Sequence, residues 1–554
     1  MKLKNLLLFS PLLLLGLTAC SSEDNVEIET KTYDFENLTS EYDVEGTSLN
    51  TYYIDGSSTG YVDIKEFLKT LNGFSNYSKY HFSKTPFQDI YTISFSESIM
   101  RYRLYINYRE NTISINNVNA LFNTVETGDT NYSYGIKPSD TNYEISGGGE
   151  YTFNLGDYFD IYYKNGSCYL PFVVANTLFC STNYYNVYFN GNKYYGTYLD
   201  LENNYDLIKD NSLTSADVTE EMRKDNYYNL LFTLNNFYGL KDYLNISSFE
   251  KFIEDNGIKD LLLSTDPSEY SLGYEKLFYT ALDDPHSAYY FNSMYHDKTD
   301  KYTRDKSSFG TRRTNLENSI DELDSLYQAM GNSDSVRFYD DTAIITIEDM
   351  ETGTESQLFD SNGNVLDTAK DYDSYYYMLD AMKQIENRGN INHIVLDITR
   401  SGGGNIAAMI RIMGFMTDAE LKTTQFCDFG DLATTAYYSC DTNLDGSYKD
   451  ADAYTNYTWA LLTSSYTYSA ANTLTSIISN QKICKIYGEA TGGGMCSIMP
   501  IVMLDGSTMY ISSYLKTAVR KSGEIINIEA GISPDTKVSR SSFYDDSYLD
   551  SLFN

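Results

Sequence analysis

An α/β architecture is predicted for residues 336–554, and three stretches predict it. His393 to Ile398 is an apolar run. It leads through Thr399-Arg400-Ser401-Gly402-Gly403-Gly404-Asn405 into a helical pattern from Ile406 to Met416. Thr458 to Leu462 is a second such run. A Tyr-rich turn follows it, then Ser469-Ala470-Ala471-Asn472 and a helix marked by Leu474, Ile477 and Ile478. Ile483 to Tyr487 is the third and runs into Glu489-Ala490-Thr491-Gly492-Gly493-Gly494. Short continuous apolar runs are strands buried on both faces, and strand, turn and helix in repetition build an α/β layer. Thr342 to Ile347 adds a strand, Tyr372 to Ile385 a helix, and Gly506 to Val538 a closing set of short strands.

The N-terminal portion has a different character. Lys2 and Lys4 precede an apolar stretch from Leu6 to Leu17, which is too short to span a bilayer. It ends in Leu17-Thr18-Ala19-Cys20, the pattern of a bacterial lipobox, in which the cysteine becomes the lipidated first residue. Residues 1–19 are therefore expected to be a lipoprotein signal peptide. Cys20 is expected to carry the lipid that ties the chain to the extracytoplasmic face of a bacterial cell membrane. Residues 20–45 read as a polar, acidic tether. Residues 46–210 read as Tyr-rich α+β modules. Tyr53 to Leu68 and Tyr163 to Val174 each show a strand, an Asp/Asn-Gly turn and a helix start, which suggests a repeat. Residues 215–335 read as a helical segment, with Tyr227, Leu230, Leu231, Leu234 and Phe237 at helical spacing, ending in a mobile polar linker over 292–335.

Charge excludes some functions. The chain has 41 Lys and Arg against 77 Asp and Glu, a net charge of −36, so nucleic acid and anionic lipid surfaces are not expected partners. Beyond Cys20 there are Cys168, Cys180, Cys427, Cys440, Cys484 and Cys496, in three close pairs. These are open to disulfides or to buried thiols, and no CxxC suggests zinc. Asp441 to Asp452 has the oxygen spacing of a calcium loop. With Lys449 inside it and Asp at its end, it reads as a solvated turn. No metal and no cofactor is expected.

Two residues carry the chemical argument. Ser469 stands where a strand passes into a helix. A serine there is either an ordinary N-cap or a nucleophile with the next backbone N–H aimed at an oxyanion. His286 is one of four histidines, beside His81, His296 and His393. It sits in Asp283-Asp284-Pro285-His286-Ser287, a turn constrained by Pro285, and reads as a structural histidine or a general base. The three glycines at 402–404 expose backbone N–H groups. They match neither GxGxxG nor a P-loop, which leaves a tight turn or an oxyanion contribution from Gly403 or Gly404.

Taken in order, DDPHS, VLDITRSGGG, TYSAAN, YGEATGGG and EAGISPD resemble the S41 serine peptidases, the carboxyl-terminal-processing and tricorn-type proteases, over about residues 215–540. The resemblance implies a crotonase-like α/β core with Ser469 as nucleophile. The Ala470 N–H and that of Gly403 or Gly404 would form the oxyanion hole. The reaction would be hydrolysis of a polypeptide substrate through an acyl-enzyme. The processing branch carries a lysine in a T-x-G-K-G run, and Gly494 stands at that place here. The tricorn-like branch takes a histidine from D-x-H-[ST], which His286 matches, and Glu529 approximates its supporting acid. Asp283 and Asp284 read as caps or turn acceptors, and Lys516 is not expected to reach Ser469. A different reading is a catalytically inactive S41-like lipoprotein that binds peptide, or glycan through its Tyr-rich strands.

Overall fold

A computed structural model describes residues 26–198, 204–210, 213–297, 304–332, 334–448 and 452–554. The signal segment with Cys20, and Lys449 in the acidic loop, lie outside the described residues.

The C-terminal sheet has six strands in sequential order: Val336–Tyr339, Thr342–Thr346, His393–Asp397, Thr458–Thr463, Lys485–Gly488 and Thr536–Lys537. The first pair is antiparallel and every later pair parallel. Burial explains the apolar runs. Ile394, Leu396 and Leu461 face helices Ser374–Arg388, Ile406–Gly414 and Ala470–Gln481. Val395, Ala460 and Leu462 face Leu323 and the C-terminal Phe543 and Leu549. Strands covered on both sides have no polar face to alternate with. The Gly402–Gly404 turn and the turn before Ser469 leave the carboxyl ends of two adjacent parallel strands, where open α/β sheets gather their sites.

A second, seven-stranded sheet is built on the fourteen-residue strand Thr508–Lys521. The short strands expected between 506 and 538 are thus largely one long strand. Its Ser and Thr residues break the apolar alternation, and it pairs with Ala288–Phe291, Leu421–Cys427, Cys496–Val502 and Glu524–Asn527 in turn. The strand Ile136–Ser146 from the N-terminal region joins this sheet through Leu432–Cys440.

Two further expectations are corrected. The acidic stretch 20–45 is not all tether, because Ile28–Asn37 is an inner strand of a seven-stranded sheet, paired on both sides. In that sheet the two related N-terminal units meet directly, Val62 opposite Leu170, and so share one layer. The polar stretch 292–335 contains the twenty-residue helix Thr311–Met330. Leu316, Ile320, Leu323 and Tyr327 recur along it at helical spacing, and Leu323 is buried against the central sheet. The helix starts against the Asp283 carboxylate, which accepts from the Arg312 and Arg313 N–H groups at 2.7 and 2.9 Å. Among the described residues no helix is long and apolar enough to cross a membrane.

Candidate active site

Ser469 holds φ 56° and ψ −122°, a conformation uncommon for a residue with a side chain, and its hydroxyl does not cap the helix it precedes. The N-cap reading therefore fails at the side chain. Backbone strain of this kind costs on the order of 1–3 kcal/mol and persists only when the surroundings impose it. Here they do. Thr467 Oγ1 donates to Ile398 O at 2.9 Å, and Tyr468 N to Ser401 O at 3.1 Å. Ser469 N donates to Gly493 O and Gly492 N to Thr467 O, both at 2.9 Å. The turn is thus clamped between the two glycine runs that the sequence places 90 residues apart.

Of the two candidate glycines, Gly403 lies against this turn. A Cβ on it would stand 2.6 Å from Ala470 N and 2.8 Å from both Ser469 Cβ and Tyr468 O. Gly404 is pinned elsewhere. Its Cβ would stand 2.3 Å from Met350 O, in the short parallel pair with Asp349–Met350. Ala470 N is the first N–H of a helix, where donors lack intrahelical partners. Gly403 and Ala470 are therefore the backbone pair that the fold brings to the Ser469 side chain.

His286 sits in a turn locked by Asp284. One Asp284 oxygen accepts from His286 N at 3.2 Å. The other accepts from Ser287 Oγ at 2.6 Å and Tyr238 OH at 3.2 Å. Arg313 bonds the carbonyls of Asp284 and Ser287. Asp283 and Asp284 are thus cap and turn acceptor, as their place beside Pro285 implies. The imidazole is 7 % exposed, and among the described residues neither ring nitrogen has a hydrogen-bond partner. Its ring packs edge-on against Tyr468, with centroids 4.8 Å apart. Burial lowers its pKa to about 4, with Asp284 pulling upward and Arg312 and Arg313 downward. At neutral pH the ring is therefore in its proton-accepting form.

Glu529 is buried, but its partners are Arg312 Nη2 and the Met495 N–H at 2.8 Å, not His286. Burial raises its pKa, and Arg312 opposes that rise. Burial also works against the Arg312 charge, yet Tyr468 and Glu529 hold its pKa above the usual value. Arg312, Tyr468 and the charge of Asp284 escaped the sequence reading. The apolar stripe of helix 311–330 was the signal for the first.

The other candidates fall away from Ser469. Lys516 pairs with Asp428 at 2.6 Å. His393 stacks on Phe553, His296 bonds Ser271 Oγ at 2.9 Å, and His81 is exposed on a strand. His296 is thus buried and bonded, not part of a loose polar stretch. All six described cysteines are free thiols. Asp441 accepts from the N–H groups of Asp445 and Gly446, as in a self-bonded turn.

Residues 341–538 match the family model for peptidase family S41. No curated protein matches the chain. Among solved structures, the photosystem II D1 C-terminal processing protease aligns at 19 % identity and a TM-score of 0.26, over 36 % of this chain and 42 % of that one. The match thus spans less than half of that protease. A lipoprotein from Streptococcus agalactiae aligns at 16 % identity and a TM-score of 0.36, covering 61 % of this chain and 97 % of that one. The tricorn protease aligns at 11 % identity and a TM-score of 0.31, covering 86 % and 46 %. The 341–538 segment, which holds Ser469, both glycines and Glu529, belongs to peptidase family S41.

Proposed function

We propose that the chain is a serine endopeptidase acting on unfolded or flexible polypeptide, tethered outside the cell by lipid on Cys20. The observation that carries the reading is Ser469 itself, strained, clamped and not spent on capping its helix. In the reaction, the Ser469 hydroxyl attacks the scissile carbonyl while neutral His286 takes its proton. The carbonyl oxygen gains negative charge and is met by the N–H groups of Ala470 and Gly403. His286 then returns the proton to the leaving amine, and an acyl-serine remains. Water repeats the sequence, giving its proton to His286 and releasing the carboxylic acid and the free serine. Glu529 acts at a distance, holding Arg312 beside Tyr468 and the Met495 backbone in place. The lipid anchor rests on the Leu17-Thr18-Ala19-Cys20 pattern alone.

The test is hydrolysis of an unstructured polypeptide by the full chain. Ser469→Ala and His286→Ala are each expected to lose about a thousandfold or more in kcat/KM. Because the base works only when neutral, wild-type activity is expected to hold from pH 7 into the acid range and to fall as pH drops through about 4. Hydrolysis unchanged in both variants would refute the assignment. The inactive-binder reading is favoured by one observation, that among the described residues nothing hydrogen-bonds the His286 ring. A folded wild type without hydrolysis over this pH range would support that reading instead.

A further inference from the structure

Among the described residues the His286 ring has no hydrogen-bond partner, and the contact that bears on its orientation is packing. The ring packed against it is that of Tyr468, the residue immediately before Ser469. Tyr468 is 4 % exposed, and its ring meets the imidazole at an interplanar angle of 68°. Its backbone is part of the clamped turn. The N–H is bound to Ser401 O, the carbonyl accepts from Ala471 N at 3.0 Å, and the residue bridges to Gly493. The ring is therefore a rigid extension of the same turn that sets the Ser469 torsions.

Gly494 makes room for it. A Cβ on Gly494 would stand 2.6 Å from Cε1 and Cζ of the Tyr468 ring, on backbone with φ +84°. One volume beside His286 can hold a side chain from 494 or the ring from 468, and here it holds the ring. The Tyr468 hydroxyl, like the imidazole nitrogens, has no hydrogen-bond partner among the described residues, so the contact is made by the ring and not by its hydroxyl. We propose that Tyr468 is the positioning residue of this site: its ring, seated in the space left open by Gly494, sets where the His286 imidazole stands relative to Ser469. The proposal rests on the Ser469–His286 reading and adds the part that replaces a hydrogen-bonded orienter.

The groups facing this pair are Asp284 from the histidine turn, Arg312 and Arg313 from helix 311–330, Glu529 from the C-terminal segment, the Cys496 thiol from strand Cys496–Val502 and the Tyr238 hydroxyl. The arginines and the ring's cover oppose protonation of His286, while Asp284 favours it. Removing the ring leaves the charges in place and admits water, so the imidazole should become easier to protonate.

The test uses the full chain with isotope-labelled histidine, following the imidazole signal that disappears in His286→Ala. The signal is expected to titrate near pH 4 in the wild type and in Tyr468→Phe. In Tyr468→Leu it is expected to move upward by about one pH unit or more. In parallel, kcat for polypeptide hydrolysis is expected to fall about tenfold to a hundredfold in Tyr468→Leu with KM little changed, and to stay near wild type in Tyr468→Phe. A Tyr468→Leu protein with an unmoved titration and wild-type kcat would overturn the proposal. So would Tyr468→Phe with a displaced titration or a comparable loss of kcat, which remains decisive if the leucine variant does not fold. The titration needs no turnover. A wild type that fails to hydrolyse would sink the peptidase reading, and the titration would still judge the role of Tyr468.

Discussion

Ser469→Gly is expected to abolish hydrolysis and at the same time to stabilise the fold by about 1 kcal/mol. The two effects have one source. The backbone at 469 lies at φ 56° and ψ −122°, which serine tolerates poorly and glycine adopts freely. Relief of on the order of 1–3 kcal/mol of strain outweighs the extra unfolded-chain entropy of glycine, about 0.4–1 kcal/mol. Removing the hydroxyl removes the nucleophile, for a loss of about a thousandfold or more. Thermal unfolding of the variant beside Ser469→Ala separates the terms, since alanine loses the hydroxyl but keeps the strain. A glycine variant no more stable than the alanine variant would show that the torsions at 469 hold no strain.

Gly403→Ala is expected to lower kcat/KM about a hundredfold or more, the scale of one oxyanion donor. The added methyl would meet backbone, not a side chain that could swing away. Ala470 N would lie at 2.6 Å and Tyr468 O at 2.8 Å, on a residue whose φ is +105°. Either the Ala470 N–H or the glycine strand must shift, and both are needed where the oxyanion forms. Gly402→Ala is the control. The atoms nearest its methyl belong to the Tyr466 side chain, the hydroxyl at 3.4 Å and ring carbons at 3.8 Å, which is ordinary contact, so near wild-type activity is expected. Equal activity in the two variants would remove Gly403 from the hole.

The parallel core was legible because strands such as His393–Asp397 are buried on both faces, which leaves an unbroken apolar run. The strand-to-helix place of Ser469 was legible for the same reason. Its torsions were not, since they depend on bonds to Ser401 and Gly493, far away in the chain. The choice of Gly403 over Gly404 rests on which neighbour each backbone meets, and three glycines in a row look alike. Ile28–Asn37 reads as tether in the sequence because its Glu, Lys and Thr content hides an inner strand, in which only Phe35 is buried. Arg312 was missed with its helix. The charged residues between Leu316 and Tyr327 mask a narrow apolar stripe. Glu529 was found by its motif, but its partner could not be, because helix 311–330 lies some 200 residues upstream.

The most direct measurement is mass-spectrometric mapping of a fluorophosphonate adduct on the full chain at neutral pH, in wild type and His286→Ala. One adduct is expected, on the peptide containing Ser469, with its loss or strong slowing in His286→Ala while the variant stays folded. An adduct on another residue, or equal labelling of Ser469 without His286, would contradict it.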